Sequence, residues 1–113
     1  MHRPKTEITQ QFGFDAAHFL EDAPSGSNRR MHGHSFYAEV TLAGEPDPHQ
    51  GWVRDFNEVN AVLATIRGDL DHQLLNDIAG LGAPTLENLA RHIYRQAKAK
   101  LPECSGRVLR RNS

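Results

Sequence analysis

A single cysteine, Cys104, excludes any disulfide within this chain. The setting expected from that is reducing and cytoplasmic. Cys104 also lies just after Pro102, with no helix start or paired base near it in sequence, which argues against a nucleophilic role. Long apolar runs are missing as well. No stretch approaches the roughly 20 residues of a membrane span, or the apolar core of a signal peptide, so no membrane partner is expected. Strong charge of one sign is absent: 13 Lys and Arg stand against 14 Asp and Glu, a formal net charge of −1. With no basic run, nucleic acid is not an expected partner. There is no internal repeat and no low-complexity segment. At 113 residues the chain reads as one domain over 1–113, with a core modest enough that oligomerisation would help it.

What the chain has in excess is histidine, seven in all, and their placement matters more than their number. His32-Gly33-His34 opens a segment in which Phe36, Ala38, Val40 and Leu42 alternate with Ser35, Glu39 and Thr41. That is the period of a half-buried strand. Residues two apart on a strand share a face, so His32 and His34 should project side by side. Lys5 to Phe14 reads as an earlier strand, with Ile8, Phe12 and Phe14 on one face. His18 keeps that parity. Met1 to Pro4 reads as a loose end. Between the strands lies a loop, Glu21 to Arg30, rich in Pro, Gly, Ser and Asn. Its Arg29-Arg30 is a phosphate-binding candidate whose plainer reading is a solvated loop.

Gly44 to Gly51 reads as a turn, because Pro46 and Pro48 cannot continue a strand ladder. Asp55 followed by Glu58 is a capping-box pattern. The helix it opens carries Phe56, Val59, Leu63, Ile66 and Leu70 at spacings of three and four. Thr85 is a good N-cap for a second helix, with Leu86, Leu89, Ala90, Ile93 and Ala97 as its stripe and Pro102 beyond its end. Gly106 to Leu109 reads as a short third strand. The order predicts an α+β fold: an antiparallel sheet with two helices on one face, its last strand short or missing.

His18, His32 and His34 are candidate metal ligands. Three neutral imidazoles with an open position is a catalytic zinc pattern. The ordinary alternative is three polar or packing histidines, and His-x-His alone is a weak motif. Asp71-His72 is a second candidate, since a carboxylate can orient an imidazole that acts as acid or base. Adjacent residues seldom face each other, so this pair could instead work across a subunit boundary. A polar helix exit is the plainer reading. Thr85 and Glu87 read equally well as a cap and a first-turn acid. His2, His49 and His92 are expected to face solvent.

Five motifs in order then resemble one family, the 6-pyruvoyltetrahydropterin and 6-carboxytetrahydropterin synthases. They are Phe14-Asp15-Ala16-Ala17-His18, His32-Gly33-His34-Ser35-Phe36, and Asp47-Pro48-His49-Gln50-Gly51-Trp52-Val53-Arg54-Asp55-Phe56. The others are Leu70-Asp71-His72-Gln73-Leu74-Leu75-Asn76-Asp77 and Pro84-Thr85-Leu86-Glu87-Asn88. The third looks most like the bacterial queuosine-pathway branch. The resemblance implies a tunnelling fold assembled as a homo-oligomer, trimer-based and possibly hexameric. It implies zinc on His18, His32 and His34, proton transfer by Asp71 and His72, and Thr85 near a pterin ring. The implied reaction takes 7,8-dihydroneopterin triphosphate to 6-carboxy-5,6,7,8-tetrahydropterin, losing acetaldehyde and triphosphate. Two positions depart from the family's pattern. Asn28 stands where the family carries a cysteine, and Val108 to Asn112 holds no acid where the family carries a glutamate, with the family's final strand cut short. The retained histidines and Asp71-His72 favour a zinc-dependent lyase. The two departures favour a non-catalytic zinc-binding paralogue or a truncated form of the enzyme.

Overall fold

The computed structural model describes residues 5–24 and 26–112, with the side chains at 27, 28, 107, 108, 110 and 112 set aside. The expected loose end at Met1–Pro4, His2 and the side chain of Asn28 therefore lie outside the described residues. The elements run β1 (Thr6–His18), α1 (Gly26–Arg29), β2 (His32–Gly44), α2 (Phe56–Leu70), a 3-10 turn (Leu75–Asp77), α3 (Leu86–Lys100) and β3 (Cys104–Asn112). The three strands form one antiparallel sheet in the order β1-β2-β3. The α+β reading is thus the observed fold. β3 has nine residues, more than the four expected and fewer than the thirteen of β1 and β2.

β1 and β2 pair without interruption from Thr6↔Gly44 to His18↔His32. Directly paired residues point to the same face, so the apolar sets of both strands meet on one side. Phe14 lies opposite Phe36, their rings stacked with centroids 5.2 Å apart. Ala16, Ala38, Val40 and Leu42 continue that buried face. Both long helices cover it. α2 contributes Val59, Leu63, Ile66 and Leu70, and α3 contributes Leu89, Ile93 and Ala97. Each large side chain buried this way stabilises the fold by about 1.5–3 kcal/mol.

Four local readings need correction. Phe56, read as the start of the α2 stripe, is 53% exposed, and Val59 is the first buried position. The capping box is only half made. Asp55 accepts from the Asn57 amide at 3.0 Å, while Glu58 turns outward to the Arg54 guanidinium at 2.9 Å. His92, expected to face solvent, is half-buried on α3. The loop from Glu21 to Arg30 contains the single turn α1, closed by Arg29 donating to the Ala23 carbonyl at 2.9 Å. The Thr85 cap is made as read: its hydroxyl accepts from the Asn88 amide at 3.2 Å.

Candidate metal centre

The β1–β2 register ends by placing His18 directly opposite His32, with His34 opposite Ala16. The three imidazoles gather with centroids 4.6, 4.7 and 5.2 Å apart. One nitrogen from each falls within 4.8 Å of the others. Phe36 lies beneath, its ring edge-on to both His18 and His34.

Hydrogen bonds fix which nitrogens are available. His18 Nδ1 meets the Pro84 carbonyl at 2.8 Å, and His32 Nδ1 meets the Arg30 carbonyl at 2.7 Å. A carbonyl only accepts, so both Nδ1 atoms carry the proton and both Nε2 atoms keep a lone pair. This is the outer-shell arrangement that orients imidazole ligands in metal sites. His18 is 3% exposed, and its Nε2 is buried with no hydrogen-bond partner. A buried unpartnered acceptor is costly unless something takes its lone pair. The cluster therefore fits a metal ion. Burial, chiefly, lowers the pKa of both His18 and His34, with the Arg111 guanidinium adding to the effect. Neutral imidazole is the form a metal needs.

His72, Gln73 and Leu74 line the cleft that His34 also borders. Asp71 closes α2 and accepts the Asp15 amide at 2.9 Å. Its other oxygen meets Arg67 at 3.2 Å. The Asp15 amide first, and then Arg67, hold the Asp71 carboxyl below its usual range. His72 follows with φ of 60°, the left-handed region. Its amide donates to the Asp15 carbonyl at 2.6 Å, and the Ala17 amide donates to the Gln73 carbonyl at 3.0 Å. His72 Nδ1 lies 3.7 Å from Asp71 Oδ2, beyond hydrogen-bond distance, and the side chain is 79% exposed. Asp15, Gly33, His34, Ser35, His72 and Gln73 all border one open cleft of about 610 Å³. Thr85 borders a neighbouring cleft with Phe19, Leu20 and Pro84. His18 lies in the chain between Ala17, which lines the first cleft, and Phe19, which lines the second, and it is bonded to Pro84 of the second.

Sequence reasoning missed several positioning groups. Asn76 grips the backbone of Phe19 from both sides, accepting its amide and donating to its carbonyl, each at 3.0 Å. That pins the chain immediately after His18. Ser35 donates to Asp15 at 2.5 Å across the cleft floor. An Asn six residues after a helix end carries no periodic signal, so only the fold exposes its role. Arg111 was also unforeseen as a neighbour of the cluster: its guanidinium donates to His34 Nε2 at 3.2 Å.

Known proteins share this arrangement of chain. The sequence profile described as 6-pyruvoyl tetrahydropterin synthase matches residues 7–111. A 6-carboxy-5,6,7,8-tetrahydropterin synthase of Synechocystis is 40% identical over 101 residues, covering 85% of this chain and 74% of that protein. A dihydroneopterin monophosphate aldolase of Pyrococcus furiosus is 35% identical, covering 87% and 80%. Among solved structures, the 6-pyruvoyl tetrahydropterin synthase of Caenorhabditis elegans superposes with a TM-score of 0.79 over 100% of both chains, at 22% identity. A profile match over almost the whole described chain, and a relative at 40% identity, place the protein: it belongs to the 6-pyruvoyl tetrahydropterin synthase family.

Proposed function

We propose that this protein is a zinc-dependent lyase of pterin metabolism. It takes 7,8-dihydroneopterin triphosphate to 6-carboxy-5,6,7,8-tetrahydropterin, with loss of acetaldehyde and triphosphate, in the queuosine precursor pathway. The observation that carries the reading is the three-imidazole cluster, with His18 and His32 both locked to offer Nε2. The Synechocystis relative, named for this product, supports the choice of substrate.

His18, His32 and His34 would hold the zinc. The bound ion supplies a Lewis acid for the substrate side-chain oxygens and for enolate-like charge. His72, on the cleft wall, takes the proton from the substrate side chain. Asp71, held ionised by the Asp15 amide and Arg67, stabilises the imidazolium so formed. The Thr85 oxygen is already accepting from Asn88 and keeps its own hydrogen to donate to the pterin. The working unit is a cytoplasmic homo-oligomer built on a trimer, and Asp71-His72 could serve a neighbouring subunit's substrate.

Asn28 cannot form a thiolate, so His72 carries the base role alone. That same substitution supports the second reading, a zinc-binding paralogue that does not turn over. Incubating the zinc-loaded protein with dihydroneopterin triphosphate separates the two. The lyase reading expects acetaldehyde and the carboxylated pterin in equal amounts. Their absence, in both the wild type and Asn28→Cys, would leave the non-catalytic reading standing. The Pyrococcus relative makes dihydroneopterin monophosphate the second substrate to assay.

A further inference from the structure

Arg111 approaches the cluster in a way that the proposed chemistry does not use. β3 pairs with β2 so that Arg111 lies opposite Phe36, on the face that carries His34. This facing depends on one irregularity. The register shifts between Leu42↔Cys104 and Thr41↔Gly106, leaving Ser105 as an extra residue. An extra residue exchanges the two faces of a strand beyond it. The bulge at Ser105 therefore turns Arg111 toward the histidines.

A neutral imidazole has one lone pair and one N–H, and a guanidinium only donates. Arg111 donating to His34 Nε2 thus uses the single lone pair of His34. The proton is left on Nδ1, which is buried with no hydrogen-bond partner. Ligation through either nitrogen needs that same lone pair, so a metal and Arg111 compete for His34. Once displaced, the guanidinium stands beside a dication. Among the described residues Arg111 has no carboxylate partner to offset it.

We propose that Arg111 is an anion-binding residue of this site: released from His34 by the metal, it takes a phosphoryl or carboxylate group of a ligand held at the metal. Guanidinium matches the paired oxygens of both groups. An anion between the two cations removes their repulsion, so metal and anion bind with positive coupling. The inference rests on the metal reading above.

The test is zinc affinity by chelator competition, with and without inorganic phosphate, and with acetate as the carboxylate probe. Wild type, Arg111→Gln, Arg111→Lys and His32→Ala are compared, the last reporting any direct effect of the anions on the indicator. Without anion, Arg111→Gln should bind zinc more tightly than wild type. With phosphate or acetate, wild-type affinity should rise, by roughly five- to a hundredfold. Arg111→Gln should not respond, and Arg111→Lys should recover part of the response. The anion that produces the rise identifies the phosphoryl or the carboxylate source. Equal responses in wild type and Arg111→Gln, with zinc still bound, would overturn the role of Arg111 alone. Failure of wild type to bind zinc at all would overturn the metal reading and this inference together.

Discussion

At the scale of single residues, lone pairs and charge define the candidate site. His18 and His32 each spend Nδ1 on a backbone carbonyl, and so present Nε2. Asp71 is kept ionised by an amide and a guanidinium. Asp71→Asn should therefore keep zinc and lower turnover by roughly tenfold or more. Parallel measurement of zinc content and initial rate checks this, and loss of zinc in that variant would assign Asp71 a purely structural role. His92 gives a pH prediction away from the site. Burial, chiefly, lowers its pKa from the usual 6.5, with Arg95 lowering it further and Asp69 opposing. Below pH 6.5 the unfolded chain takes up a proton that the folded chain resists. Stability should then fall as pH drops from 6.5 toward the lowered folded value, and His92→Gln should flatten that slope in denaturant titrations. The histidine cluster was legible in the sequence because a strand's period of two needs only residue spacing. His92 was misread because its neighbour Asp69 belongs to another helix, and helix-to-helix contact is not written in local periodicity.

At the scale of elements, α3 does two jobs. Its buried stripe, Leu89, Ile93 and Ala97, covers the sheet. Its N-terminus, through the Pro84 carbonyl, orients His18. Removing the cap with Thr85→Ala should cost about 1 kcal/mol, read as a lower thermal midpoint, while Thr85→Ser should keep both the cap and the hydroxyl. Ile93→Ala should cost about 2–5 kcal/mol by leaving a cavity in the core. If Thr85→Ala changed substrate affinity without changing the midpoint, the capping account would be wrong. Both long helices were legible because each announces itself with a cap and a stripe. β3 was only half legible. Its length and facing depend on the bulge at Ser105, a tertiary event with no turn signal of its own. That is why the approach of Arg111 to His34 emerges only from the register.

At the scale of the molecule, shape argues for assembly. The radius of gyration is 16.2 Å, against about 13 Å for a compact chain of about this size. The molecule extends to 57 Å along its long axis and to 25 and 24 Å across it. β1 and β3 form the two edges of the sheet, and β1 has one added backbone pairing, at Ala17 and Leu74. Edges of this length are templates for another strand unless something covers them. Sedimentation should give a mass several times 12.7 kDa. A stable 12.7 kDa species at working concentration would contradict the assembly, and with it any role of Asp71-His72 across a subunit boundary. The sheet and its covering helices could be read from the chain, but whether its edges pair with other copies could not, because such pairing would leave no mark on one chain's hydrophobic pattern.

The most direct test of the central claim is metal content per chain, by elemental analysis, on purified wild type and His32→Ala loaded with zinc in parallel. Three converging imidazoles predict one tightly held zinc per wild-type chain and almost none in the variant. Equal zinc in both, or none in either, would contradict the metal centre.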